Sequence, residues 1–320
     1  MPKILLVKTS SLGDVVHNLP MVSDILAHFP EAEIDWVVEE SFAAIPALHP
    51  GVGAVLPVAL RRWRKALFGR HTRDEIRAAI HQLREKTYDI ILDSQGLLKS
   101  ALITRLAHGS RAGLDRNSAR EPLAALFYDY PVAIAKNRHA VERNRVLAGR
   151  VMGYVPETPV DYGITAPDAA LPWLADAPYA VFLHATSRDD KLWPEAHWEA
   201  LGAHFYAQGL RCILPWGNET EQARSRRLAE RIAHSIVPPR LTLNQAAALL
   251  ANAHAVIGVD TGLAHLAAAL DVPVVALYCT TEPGLTGVCT SNARAINLGG
   301  IGNSPPVAEV IGAVERARSA

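Results

Sequence analysis

The sequence predicts two α/β domains, each built on a parallel sheet, joined by a proline-rich connection. Three observations carry this expectation. The chain has 320 residues, which suits two domains of about 150 residues better than one core. Short apolar runs alternate with segments of helical apolar spacing in both halves. Between Tyr154 and Pro172 the alternation lapses, and Pro156, Pro159, Gly163, Pro167 and Pro172 interrupt it. The expected division is a first domain over 1–155, a connection over 156–175 and a second domain over 176–320.

Each element has its own signal. Ile4–Val7 is a strand, and 15–29 is helical, with Asn18 and Pro20 marking a break or restart near its beginning. Ile34–Val38 and Ala54–Val58 are further strands. Ile76, Ala79, Ile80 and Leu83 recur at helical spacing within 73–86. Ile90–Leu92 is a buried strand, and helices are expected over 97–107 and 139–152. In the second half Ala180–Leu183 and Arg211–Leu214 are strands, with helices over 195–207, 219–234 and 244–252. The apolar run from Ala253 to Val259, the helix after Gly262 and the run from Val274 to Tyr278 make one βαβ unit. A last helix over about 306–318 is expected to fold back across the first domain.

Composition narrows the function classes. Lys plus Arg and Asp plus Glu both number 32, so a general nucleic-acid binder is disfavoured. The balance is local, however: residues 61–150 hold 19 basic against 9 acidic side chains, which points to an anionic partner for the first half. Cys212, Cys279 and Cys289 form no C-x-x-C pair, which fits a reducing compartment. No apolar run is long enough to span a bilayer, and the first run is too short for a signal segment. A cytoplasmic protein is expected, with its basic surface available to an anionic membrane face.

Ligands of parallel α/β sheets bind outside the carboxyl ends of the strands, and four motifs fall there. Asp260, Thr261 and Gly262 follow one strand and open a helix, whose free N–H groups make an anion site. Thr186, Ser187 and Lys191 follow another strand; their hydroxyls can donate hydrogen bonds and the ammonium can neutralise a diphosphate. Glu221 opens a third helix, where it can accept ribose hydroxyls or simply sit as a favourable charge in the first turn. In the first half, Lys8-Thr9-Ser10-Ser11-Leu12-Gly13-Asp14 follows the first strand. Asp14 there is either a general base or a helix-capping carboxylate. This motif lacks the spacing of a dinucleotide glycine fingerprint, which disfavours a nicotinamide-dependent oxidoreductase.

Arg61, Arg62, Arg64 and Lys65 place four cations around one tryptophan. They suit phosphate groups or a lipid surface, or are a solvated charge run. Arg120, His139 and Lys99 are candidates to extend that surface. His265 lies on an Ala- and Leu-lined helix, where a lone histidine is ordinarily packed. No H-x-x-x-H or H-E-x-x-H spacing occurs, so no catalytic metal is expected.

These residues together resemble the heptosyltransferases of lipopolysaccharide assembly, glycosyltransferase family 9. The likeness spans nearly the whole chain. It is carried by Val7 to Asp14, Asp35 to Glu40, Arg61 to Lys65, Gln95-Gly96-Leu97, Ala119 to Leu123 and His139 to Arg143. It continues through Phe182 to Thr186, Arg188 to Lys191, Pro215-Trp216-Gly217 and Val259 to Leu263. The Arg-Arg-Trp-Arg-Lys and Thr-Ser-Arg-Asp-Asp-Lys stretches resemble the branch that adds the first heptose to the Kdo region. Ser187 replaces a threonine of the family, and 278–284 departs from the family's Gly-Pro-Thr-Asp-Pro pattern.

The resemblance implies a GT-B fold, with two Rossmann-like domains facing across a central cleft. It implies inverting transfer from ADP-heptose, a substrate, to a hydroxyl of Kdo-lipid A, with no cofactor and no metal. By position, Asp14 resembles the general base and Lys191 the diphosphate-neutralising lysine. Thr186, Ser187, Glu221, Asp260, Thr261, Gly262 and His265 then fall to the donor. Ser10, Gly13, Arg61, Arg62, Arg64, Lys65, Arg120 and His139 fall to the acceptor. Two rivals are a sugar-nucleotide epimerase of similar fold and a non-catalytic module binding anionic glycolipid.

Overall fold

The structure is a computed structural model. It describes residues 1–66, 68–156, 159–186 and 188–320. The chain divides into two compact units, Met1–Ile164 and Thr165–Ala320.

The first unit contains β1 (Lys3–Val7), α1 (Leu12–Val16), α2 (Leu19–His28), β2 (Glu33–Glu39), β3 (Val52–Val58), α3 (Leu60–Trp63), α4 (Arg70–Arg84) and β4 (Thr87–Asp93). It continues with α5 (Leu98–Thr104), β5 (His108–Leu114), β6 (Tyr130–Val132) and α6 (Ala140–Met152). Its strands pair in parallel in the order β3-β2-β1-β4-β5-β6. The expected restart after the first helix is real. Asn18 occupies the cap position of α2 and Pro20 its first turn, where a missing N–H costs nothing.

The second unit contains β7 (Tyr179–Leu183), α7 (Glu195–Ala207), β8 (Arg211–Ile213), α8 (Glu219–Ala229), β9 (Ser235–Ile236), α9 (Leu243–Ala251) and β10 (Ala255–Val259). It closes with α10 (Gly262–Ala269), β11 (Val274–Tyr278), α11 (Pro283–Thr286), β12 (Ala295–Gly299) and α12 (Val307–Ser319). The order β12-β11-β10-β7-β8-β9 repeats the topology of the first sheet. Both are Rossmann-like sheets, and in each the order in which strands are added reverses between two central parallel strands: β1 and β4 in one, β7 and β10 in the other.

Four strands are absent from the sequence reading: β5, β6, β9 and β12. β5 runs His-Gly-Ser-Arg-Ala-Gly-Leu and β9 has two residues, so neither offers an apolar run. The helix expected over 219–234 ends at Ala229. The following segment leads into β9, which pairs with β8. The closing helix is α12. It buries Val310, Ala313 and Val314 in the second unit's core with Phe182, Trp198 and Leu277, so its apolar face is spent on its own sheet.

Each unit has its own core. Phe182, Trp193, Trp198 and Phe205 are fully buried in the second, with ring centroids 5.1 to 5.6 Å apart along the chain of contacts. In the first, Leu5, Val7, Val37 and Ile91 form the sheet's contribution to a cluster that includes Trp63 and Leu83.

The first unit also contains a buried ion pair. Arg145 of α6 donates from Nε and Nη2 to Asp24 of α2 at 2.7 and 2.8 Å. The fork geometry satisfies both groups away from water. Removing one partner strands the other charge in the interior. Asp24→Ala should therefore lower the stability of the first unit by about 3–5 kcal/mol, read as a shift of its urea-unfolding midpoint.

Candidate active site

Two crevices follow from the strand orders, one at the carboxyl-end switch point of each sheet.

In the first unit the crevice is made by the segments after β1 and β4. The β1 segment stays in register with β2 for two more residues, through Lys8 N–H to Val37 O and Glu39 N–H to Thr9 O. The Trp36 indole adds a bond to the carbonyl of Lys8 at 3.1 Å. One side chain then fixes the turn: the Gln95 Oε1 accepts the N–H groups of Thr9 and Ser10 at 3.0 and 3.1 Å. Gly96 follows with φ +65°, a left-handed conformation that favours glycine. A Cβ there would stand 3.5 Å from the Arg120 nitrogen, so the chain bearing Arg120 passes directly beside this turn.

Asp14 lies on α1, half-buried. Its Oδ2 accepts from the Ser11 N–H and Oγ at 2.8 and 2.9 Å, completing a capping box. Oδ1 has no hydrogen bond among the described residues. The capping role anticipated for Asp14 is therefore present, and it engages one of the two carboxylate oxygens. Gly13 precedes it in the first turn of the helix, and its carbonyl accepts from His17 N–H at 2.8 Å. Ser10 is buried, and its Oγ accepts from Lys99 Nζ at 3.1 Å.

Beneath this turn lie two buried groups, Lys8 of the same motif and Asp93, which the sequence reading did not single out. Lys8 is buried and donates to the Ser94 carbonyl at 2.8 Å. Burial pulls its ammonium pKa down, against the opposing pull of the Asp14 and Asp93 charges. Asp93 is fully buried, and desolvation pushes its carboxyl up. It accepts from Tyr128 OH and Gln95 N–H, both at 2.8 Å. The signal available in sequence was a carboxylate closing an apolar strand, with Gln95 two residues on.

The cations are not equivalent. The Arg62 guanidinium is divided between Glu40, at 3.0 Å, and Glu75, at 2.7 Å. These two carboxylates raise its pKa, so it is a paired structural charge and not a free one. Trp63 is buried and donates to the same Glu75 at 2.8 Å. The Arg61 N–H is anchored on the buried Glu39 at 3.0 Å, and its guanidinium lies 5.2 Å from the centre of the Phe42 ring. Arg64, Lys65 and Arg120 are exposed. His139 caps α6, its Nδ1 accepting from Val141 N–H at 3.2 Å, and its ring meets that of His17 edge-on at 5.4 Å.

In the second unit the segments after β7 and β10 meet. The Asp260 Oδ2 accepts from Lys191 Nζ at 2.6 Å and from Thr281 Oγ1 at 2.8 Å. Its carbonyl accepts from Thr186 Oγ1 at 2.9 Å. Three predicted donor residues and one that was missed, Thr281, thus converge on one point. Thr261 is the cap residue of α10 and Gly262 its first residue, and no side chain caps the helix. Its N-terminal amides are placed for an anion beside the Lys191 ammonium. His265 is buried on the same helix. Ser187 lies outside the described residues.

A second cavity, of about 540 Å³, opens next to this cluster. Thr186, Asp189, Asn218 and Glu221 line it, so it joins the segments after β7 and β8. Glu221 is engaged locally: it accepts from Gly217 N–H at 2.7 Å and Asn218 Nδ2 at 2.8 Å. Deeper, His184 donates to or accepts from Ser225 Oγ at 2.9 Å. Burial pushes its pKa down to about 3, aided by Arg224, so the ring is neutral at physiological pH. Among the described residues no group of three or more His, Cys, Asp or Glu side chains is placed to hold a metal ion.

Known proteins resemble the chain in both sequence and fold. The pattern of glycosyltransferase family 9 (heptosyltransferase) matches residues 76–310. Lipopolysaccharide heptosyltransferase 1 of Escherichia coli O18:K1:H7 is 50% identical over 292 residues, 89% of this chain and 88% of that protein. The structure of E. coli heptosyltransferase WaaC with ADP is similar, with a TM-score of 0.90 at 45% identity, covering 98% of this chain and 99% of that one. The structure of the same enzyme with ADP-2-deoxy-2-fluoro heptose gives 0.86 at 45% identity, with coverage of 98% and 99%.

Proposed function

The chain belongs to glycosyltransferase family 9, the heptosyltransferases, and from that premise we propose how its two crevices divide one transfer reaction. The protein is a heptosyltransferase of lipopolysaccharide core biosynthesis. The epimerase and non-catalytic readings are not favoured. In the proposed reaction the donor is ADP-heptose, held by the second unit, and the acceptor is a hydroxyl of Kdo-lipid A, held by the first.

The observation that carries the donor assignment is the Lys191–Asp260 contact at the start of α10. An ammonium has three protons, and Asp260 takes one in fixed position. The others would be free to donate to an anion held at the amides of α10. A diphosphate leaving group there would have its charge met by lysine and backbone together, without a bridging metal. Glu221, beside Thr186 in the adjoining cavity, would meet the ribose.

At the first crevice, the acceptor hydroxyl oxygen attacks the anomeric carbon of heptose. The bond from that carbon to the diphosphate oxygen breaks, and its electron pair leaves with ADP. The hydroxyl proton passes to Asp14 through the oxygen not used for capping. Attack from the face opposite the leaving group inverts the anomeric configuration. Arg61, Arg64, Lys65, Arg120 and His139 are proposed to meet the acceptor's anionic groups, with Arg62 holding the segment in shape. Among the described residues no helix is long and apolar enough to cross a membrane. Because this acceptor is amphiphilic, we propose peripheral contact with the cytoplasmic face of the inner membrane.

The direct test is ADP release from ADP-heptose with and without Kdo-lipid A, beside an ADP-hexose control. Rapid release that requires both ADP-heptose and the acceptor supports the reading. Release at the same rate without acceptor would overturn it. Asp14→Asn should lower turnover by about 10²–10⁴-fold while ADP binding, measured by calorimetry, stays near wild type. Turnover above half of wild type would reduce Asp14 to its capping role. Lys191→Ala should cost ADP affinity about 1.5–3 kcal/mol, whereas adenosine affinity should hardly change. Equal losses for both ligands would move Lys191 away from the diphosphate.

A further inference from the structure

The first unit contains a cavity of about 720 Å³ formed by α3, α4 and α5 against the end of β3. That size lies within the range of about 300–1,000 Å³ found for ligand pockets. Its walls are apolar: Val58, Ile76, Leu83 and Ile103 contribute, with Trp63. Ile76, Ala79 and Ile80 are only half-buried, and Leu102 is 53% exposed. Three helices therefore turn apolar side chains toward one unfilled space. Leu123 and Leu126, on the 3-10 segment of Pro122–Phe127 that packs against α5, are exposed as well.

The charged residues of the cavity are all cations: Arg61, Arg64 and Lys99. Arg64 has no ion-pair partner among the described residues. Lys99 is shared between two places, because it lines the cavity and donates to Ser10 Oγ at 3.1 Å. Ser10 stands in the turn that leads into Asp14. The apolar space is thus linked through one lysine to the proposed acceptor crevice. A purely apolar ligand would leave these three cations without a counter-charge, and a purely polar one would leave the walls wet.

We propose that this cavity takes an acyl chain of the anionic glycolipid acceptor. Lys99, Arg61 and Arg64 meet phosphate or carboxylate groups at its mouth, and Ser10 and Asp14 meet the reacting sugar. This inference rests on the acceptor reading above and adds a lipid-chain subsite to it. Each methylene moved from water into the cavity tightens binding by about fourfold when fully buried. The cavity would therefore act on acceptor affinity and select acylated over deacylated acceptors.

Calorimetry with simple alkyl phosphates tests the cavity independently of transfer. The probes are dodecyl phosphate, kept below micelle-forming concentrations, butyl phosphate and inorganic phosphate. Dodecyl phosphate should bind roughly tenfold or more tighter than butyl phosphate. Ala79→Phe, which fills the cavity, and Leu102→Glu, at an exposed position that does not threaten folding, should each abolish that difference. In the transfer assay, the ratio of KM for deacylated to acylated Kdo-lipid A should collapse toward one in both variants. Equal affinity for the three phosphates, or a chain-length preference untouched by both substitutions, would overturn the proposal. If neither acceptor supported transfer, the proposed reaction would fail, while the alkyl phosphate series would still decide the cavity.

Discussion

The Lys191–Asp260 contact is the interaction on which the proposed chemistry depends. An ammonium near a helix start would ordinarily be repelled by the positive end of the helix dipole. The Asp260 carboxylate offsets that repulsion and holds the lysine at 2.6 Å. Thr281 and Thr186 then hold Asp260, one by its carboxylate and one by its carbonyl. The result is a preorganised set of hydrogen-bond donors around one ion pair, which would already be in place for the diphosphate proposed to bind there. Electrostatic stabilisation is worth most when its groups need not reorganise during reaction.

The first unit reaches a comparable end by neutral means. Its turn is set by the Gln95 carbonyl oxygen accepting two backbone N–H groups. Below it, Lys8 and Asp93 are buried within one polar cluster, with Tyr128 donating to the carboxylate. Gly113 makes that arrangement possible, since a Cβ there would come within 2.5 Å of the Tyr128 ring. A network of this kind is costly if half satisfied and rigid when complete. That rigidity suits a segment that presents a single carboxylate oxygen of Asp14.

The basic run shows how composition and geometry diverge. Four cations in five residues read as one patch. The structure separates them: Arg62 is bound by two glutamates, Arg61 lies against an aromatic ring, and Arg64 faces an apolar cavity. Glu40 and Glu75 lie 22 residues before and 13 after Arg62 in the chain, so no local pattern announces the pairing. The segment's net charge therefore overstates the charge left for an anionic partner.

Sequence alone determined the two-domain α/β plan, because β1, β2, β4, β7, β10 and β11 are buried apolar runs whose period and length are local properties. It also determined the residue types beyond the strand ends, since Asp260 follows an apolar run directly and Asp14, Lys191 and Glu221 lie in the segments that come after the runs ending at Val7, Leu183 and Leu214. The whole-chain motif likeness likewise determined the family. The tertiary structure decided what those residues touch. Thr281 could not be recognised from its neighbours, because it reaches Asp260 across 21 residues of chain. β5, β6, β9 and β12 were decided by pairing to neighbouring strands and not by their own composition. The apolar cavity, too, exists only where α3, α4 and α5 converge, for a periodic pattern shows that a helix has an apolar face and not whether another element covers it.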